Sequence, residues 1–303
     1  LYYHRVVKDN EINQNSGPNV HLSVKESEFE KQMYYISKNF NLVSLDDLYN
    51  SNFKCDKFSV AVTFDDGYRD NFEIAYPILK KYKVPATIYL VSKNLTGNSW
   101  SWWIELWNYI NQVEKINFDN RVIKCDSYQK KYENFINLKN IIKQLNFEKQ
   151  LDFFNKLTSK PQRENHDHYY LTLNQINLIK NEKLLTLGCH THEHLCFSYF
   201  ERKEIERQIS ECKQILEKKF NLTVKHFAYP YGSEDDINFF EHEVLKKENF
   251  STAVLASEVV EHPIKNFYLP RICVGPFINI DDFQRKLSGF DIMIKKIVNK
   301  FKK

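Results

Sequence analysis

The apolar residues of this chain gather into short, nearly continuous runs separated by segments of helical period. FSVAVTF at 58–64 and VPATIYLV at 84–91 are such runs, which predicts strands covered on both faces. Between them, Asn71 to Tyr82 carries helical spacing. The order is then strand, loop, helix, strand, as in parallel strands joined by right-handed crossovers. The rhythm returns in LLTLGCH at 184–190, a helix from about Arg202 to Phe220, HFAYPYG at 226–232, a helix near Glu241–Glu248, FSTAVLA at 250–256 and a last strand over FYLPRICV at 267–274. At the front, LYYHRV reads as a strand with His4 at its tip, and Ser27 to Phe40 as an amphipathic helix. Strands that repeatedly end on polar residues predict an α/β fold of the β/α-barrel kind, with its site at the carboxyl ends of the strands.

Residues 98 to about 170 break this rhythm. They are rich in aromatic, Lys and Asn residues, with helical period around 104–112 and 133–158 and no comparable buried strand. They read as a helical insertion beside the barrel mouth, within a single domain spanning 1–303. At the end, Ile292, Ile294, Ile297, Val298 and Phe301 stand among five lysines. This predicts an amphipathic C-terminal helix at about 281–303 that packs on its own domain, with peripheral contact to anionic lipid as the alternative.

Composition narrows the function classes. The net charge of +4 is a small difference between 43 basic and 39 acidic side chains that are interspersed, so nucleic acid is not an expected partner. No run reaches the roughly 18 apolar residues of a membrane span. Six cysteines lie far apart without a CxxC pair, which suits isolated buried thiols and reducing surroundings. A cytoplasmic location is expected on those grounds, although the chain begins at Leu1 and an upstream leader stays open.

Two motifs carry chemistry. Asp65 and Asp66 stand side by side at the end of a buried strand, where an adjacent cation is the simplest way to keep both ionised. In HTHEH at 190–194, His190 and His194 are four apart; if the segment starts a helical turn, both imidazoles share a face and converge on one ion. His192 then points elsewhere, and Cys189, on the opposite face of its strand, packs. Either motif alone has an ordinary explanation, a solvated turn for the acids and a surface loop for the histidines. Both at strand ends, with Gly67 after one and Gly188 before the other, favour a site. Two imidazoles and a carboxylate fit one divalent metal: zinc first, with cobalt, nickel and iron as alternatives.

TFDDG followed by H-T-x-x-H resembles the polysaccharide deacetylases of the NodB-homology family, also called carbohydrate esterase family 4. The resemblance implies a distorted β/α barrel that removes acetyl groups from carbohydrate with a divalent metal. It assigns Asp65 as base and Asp66, His190 and His194 as ligands. The family's third motif, R-P-P-Y-G, reads AYPYG here, so Ala228 stands in the Arg position while Pro230, Tyr231 and Gly232 are kept. Arg271, in LPRI, is the candidate to take over that Arg's role toward Asp65, with an ordinary surface ion pair as the alternative. No His follows Arg271 near the end to serve as acid. The opening YYHRV is similar to the circularly permuted subgroup acting on poly-N-acetylglucosamine, which makes His4 the acid; a plain strand-capping histidine is the other reading. The backbone N–H of Tyr231 is implied as an oxyanion donor.

The expected activity is therefore hydrolysis of acetyl groups on an N-acetylated carbohydrate, polymer or precursor. O-acetyl esterase and glycan-binding pseudoenzyme are the competing readings, the latter prompted by the missing third-motif Arg. Trp100, Trp102, Trp103 and Trp107 could stack on sugar, but helical spacing favours core packing, with one of them reaching the mouth.

Overall fold

Six short parallel strands make the central sheet and are neighbours in chain order: β1 (Tyr2–Tyr3), β2 (Val62–Phe64), β3 (Ala86–Leu90), β4 (Leu185–Cys189), β5 (His226–Ala228) and β6 (Thr252–Val254). The computed structural model describes residues 1–12, 18–50, 58–119, 121–159, 163–258, 266–276 and 278–289. Continuous apolar sequence forms these strands because both faces are covered: every residue of β3 is buried, and Ile88 and Leu90 join the main core. Each such side chain contributes roughly 1.5–3 kcal/mol by leaving water. Helices Arg202–Phe220 and Glu26–Asn39 complete that core through Ile205, Ile209 and Cys212 and through Phe29, Met33 and Ile36.

FYLPRICV does not form the regular strand its pattern predicts. It makes single parallel bridges, Leu269 with Val254 at one edge of the sheet and Cys273 with Tyr2 at the other. Pro270 lies between them and has no N–H to give a ladder. One stretch therefore touches both edges, and the sheet curls into a distorted β/α barrel whose closing position is irregular. LYYHRV is likewise split: β1 stops at Tyr3, and Arg5–Val7 pairs with Ser23–Lys25 in a separate two-stranded sheet. His4 sits at the break.

After β3 the chain forms helices Trp102–Gln112, Tyr128–Ile142 and Phe147–Thr158 and an antiparallel hairpin, Lys115–Phe118 with Arg121–Lys124. The periodic stretch 133–158 thus divides into two helices, the second capped by Asn146, whose side chain accepts the Lys149 N–H at 3.0 Å. These elements bury a second apolar cluster of their own that includes Trp100, Trp102 and Trp107. Of the amphipathic segment expected at about 281–303, helix Ile280–Leu287 is described and its Phe283 is buried in the main core; residues 290–303 lie outside the described residues. Among the described residues no helix is long and apolar enough to cross a membrane.

Candidate active site

Strand β2 ends at Phe64 and delivers the two acids. The Asp65 N–H donates to Tyr3 O at 3.0 Å, which continues the pairing with β1. Asp66 and Gly67 then take φ of +71° and +70°. Asp tolerates this left-handed region better than most residues. At Gly67 a Cβ would also stand 2.6 Å from Leu90 Cδ2, so that side chain would have to shift. The turn leaves both carboxyls buried, Asp65 2% and Asp66 4% exposed.

His190 extends β4, donating its N–H to Leu90 O at 2.8 Å. The residues after it are not a helical turn, contrary to the expectation from their spacing. Thr191 and His194 have φ of +65° and +56°, and Thr191 Oγ1 accepts the His194 N–H at 2.9 Å. A loop folded on its own threonine brings the two imidazoles together, with ring centres 4.9 Å apart. His192 points away, its Nδ1 2.8 Å from Ser92 Oγ. Cys189 is buried in the main core.

His190 Nε2 and His194 Nε2 lie 3.4 and 3.3 Å from the same atom, Asp66 Oδ1. Among the described residues this trio forms the one cluster whose potential ligand atoms converge, all within 4.8 Å of one another. Asp66 Oδ1 is buried and has no hydrogen-bond partner. His190 Nδ1 is 2.8 Å from Ala228 O, so it carries the proton and leaves Nε2 with a free lone pair toward Asp66. Burial, and then the charge of Asp65, push the Asp66 carboxyl up to about 8. Burial pushes both imidazoles down. A carboxyl reluctant to ionise beside imidazoles reluctant to protonate suits a divalent cation, which favours carboxylate and neutral imidazole together. The donor set fits the metal site.

Arg271 is buried, 5% exposed, and grips Asp65 with both ends of its fork: Nη1 donates to Oδ1 at 2.7 Å and Nη2 to Oδ2 at 2.6 Å. Its remaining donors reach Thr63 Oγ1 at 2.9 Å and Leu255 O at 2.8 Å. Tyr2 lies under the guanidinium, 4.5 Å from ring centre to Cζ. Burial alone would raise the Asp65 carboxyl, but the charge and hydrogen bonds of Arg271 outweigh it and hold the group at about 2. The third-motif position of that Arg, Ala228, is filled by a methyl packed against Tyr89 and Val254.

His4 and Tyr231 line the same cavity as the triad and Asp65, a space of 410 Å³. Burial lowers His4 to about 4, against the pull of Asp65. Tyr231 has φ of +62° and is the centre of a tight turn closed by Gly232 N–H to Pro230 O at 2.7 Å. Its ring is 4.9 Å from that of His194. Trp102 and Trp103 both line the cavity, Trp103 5.2 Å from His194, while Trp100, Trp102 and Trp107 belong to the second apolar cluster.

Two residues of the site escape a reading of the sequence. The Tyr68 hydroxyl accepts the Trp103 indole N–H at 3.1 Å and favours the ionised form of Asp66, so the segment after β3 reaches the surroundings of a triad member. Thr191 shapes the histidine loop. A Thr inside a short His motif is the kind of local backbone acceptor that could have been anticipated; nothing in the pattern marks Tyr68.

A curled parallel sheet with carboxylate and imidazole donors converging at its strand ends is a barrel with a candidate metal centre at its mouth. The chain belongs to the polysaccharide deacetylase family, whose model matches residues 54–247. It is 28% identical over 301 residues to a poly-β-1,6-N-acetyl-D-glucosamine N-deacetylase of Staphylococcus aureus, an alignment covering 96% of this chain and 82% of that protein. Among solved structures it is similar to the Streptococcus pyogenes deacetylase PplD in complex with acetate, with a TM-score of 0.60 at 18% identity over 94% of this chain and 95% of that one. It is similar too to IcaB from Ammonifex degensii, with a TM-score of 0.54 at 17% identity over 91% and 90%. At such identities these two likenesses concern the fold.

Proposed function

We propose that this chain is a metal-dependent hydrolase that removes acetyl groups from N-acetylated carbohydrate, a polymer or a glycan precursor. The observation that carries this reading is the orphaned Asp66 Oδ1 facing two imidazole nitrogens, with Asp65 held ionised one residue earlier. The long alignment with an N-acetylglucosamine-polymer deacetylase supports amide rather than ester as the bond cleaved. In this reading residues 1–303 are one catalytic domain into which 98–170 is inserted.

A divalent cation held by Asp66, His190 and His194 would supply Lewis acidity toward the acetyl carbonyl and toward a water, and zinc suits the donors best. Asp65 accepts the water's proton. Each of its oxygens takes one bond from Arg271 and keeps a second lone pair free, and its low pKa means that it is ionised at any working pH. It also releases the proton readily. His4 is neutral at rest and must gain a proton before it donates one to the departing sugar nitrogen; Asp65, the charge that favours protonated His4, is the nearby source. The Tyr231 N–H, aimed by its tight turn, takes the oxyanion.

Loss of a general base costs about 10²- to 10⁴-fold in rate. Acetate release from N-acetylglucosamine oligomers, measured after metal replenishment on the native chain and on Asp65→Asn, should differ by that factor. Equal rates would remove the base.

A further inference from the structure

Besides the triad, the cavity is walled by the helix Tyr128–Ile142 and the residue that follows it. Lys139 and Lys143 stand one turn apart there, and both line the cavity beside Phe135 and Ile136. The acid on this wall is Asp236, and it is already engaged. Its Oδ1 takes Lys143 Nζ at 2.6 Å and lies 3.3 Å from Cys196 Sγ, while its Oδ2 accepts the Ser233 hydroxyl at 2.6 Å. Lys139 makes no ion pair with any described residue. It is partly buried; that burial and the charge of Lys143 lower its pKa, and the charge of Asp236, shared with Lys143, offsets this only in part.

The remaining charges of the cavity do not answer Lys139. Asp65 is neutralised by Arg271, and a divalent cation would more than offset Asp66. A neutral acetylated sugar offers this ammonium no countercharge, and the free amine left by deacetylation would be repelled by it. The wall is also close to the chemistry. Lys143 Nζ lies 5.4 Å from the centre of the Tyr231 ring, which is itself 4.9 Å from that of His194.

We propose that the substrate carries an anionic group, phosphate or carboxylate, on the sugar that loses its acetyl group or on its immediate neighbour, and that Lys139 binds this group with Lys143 beside it. The proposal rests on the deacetylase reading and narrows its substrate class. A charge-assisted hydrogen bond of this kind corresponds to about ten- to a hundredfold in affinity. The alternative for Lys139 is a stem laid over Phe135 and Ile136 with its head in water, which would bring no such preference.

Three probes separate these: a tri-N-acetylglucosamine, the same trimer with a 6-phosphate on one sugar, and a trimer in which one sugar is a glucuronic acid. Binding is followed by calorimetry on the metal-loaded chain, and acetate release is measured in parallel. At least one anionic trimer should bind about tenfold or more tightly than the neutral one, and the larger of the two effects tells phosphate from carboxylate. Lys139→Gln should abolish the preference, Lys139→Arg should keep it, and salt should weaken it. The proposal is overturned if the neutral trimer binds as tightly as both anionic ones, or if Lys139→Gln, with its unfolding midpoint unchanged, keeps the preference. Anion preference in binding without acetate release from any trimer would sink the deacetylase reading and leave this site standing.

Discussion

Replacing Arg271 with Met removes one member of a fully buried ion pair and leaves the other in place. Four hydrogen bonds vanish, two of them to Asp65, and no other cation of the chain approaches that carboxylate in an ion pair among the described residues. Breaking such a pair from one side costs about 3–5 kcal/mol, a large part of the roughly 5–15 kcal/mol that holds an ordinary domain folded. Urea unfolding in excess chelator, so that no metal ion substitutes for the guanidinium, should show this loss in Arg271→Met. Arg271→Lys should fall between, because it restores the charge but not the fork. The double variant Arg271→Met with Asp65→Asn should recover much of the stability, since it leaves no buried charge. In metal-replete enzyme, Arg271→Met should also move the acid limb of the kcat/KM profile to higher pH, because burial then raises Asp65 unopposed. A loss below about 1 kcal/mol, or a double variant as unstable as the two single losses combined, would refute the reasoning.

Two further outcomes follow from the same structure. His226 is wholly buried between Thr252 Oγ1 and Asp46, and burial lowers its pKa despite the pull of Asp46. A folded-state pKa below the unfolded value of about 6.5 gives stability that is fully present above pH 6.5 and lost as pH falls through the folded value. The urea midpoint should therefore drop between pH 7 and pH 5, with a shallower drop in His226→Gln; identical slopes would discharge His226 from this role. Gly232→Ala places a Cβ 2.6 Å from Ala256 N at a φ of +67°, whereas Gly97→Ala at +81° meets nothing within 4 Å. The first should cost about 1–3 kcal/mol more than the second by thermal unfolding, and equal losses would show that the loop after β5 gives way.

Much of the barrel was legible because burial on both faces leaves an unmistakable mark. VPATIYLV and LLTLGCH became β3 and β4, and Arg202–Phe220 kept its expected limits, whereas only the end of FSVAVTF became β2: Ser59–Val60 pairs with Asn41–Leu42 in a separate sheet and Phe58 is exposed. The features that misled were those decided by partners far away in sequence. FYLPRICV is apolar enough for a strand, yet Pro270 and the need to meet both sheet edges leave it as two isolated bridges. The spacing of His190 and His194 was compatible with a helical turn, but left-handed residues at Thr191 and His194 achieve the convergence instead. Arg271 was a candidate through its place in LPRI alone; its bidentate hold on Asp65, 206 residues earlier, is a product of barrel closure. The positive wall at Lys139 and Lys143 had no sequence signature, since lysines on a helix are ordinarily solvated.

Acetate release as a function of metal occupancy bears most directly on the account. Metal-stripped protein is titrated with zinc while bound ion is counted by elemental analysis and acetate is assayed from an N-acetylglucosamine oligomer, in the native chain and in His194→Ala. Activity in the native chain should rise in proportion to occupancy and level off at one ion per chain, and His194→Ala should lose both the stoichiometric ion and the activity. Full activity in chelator, or a stoichiometric ion retained by His194→Ala with activity intact, would contradict it.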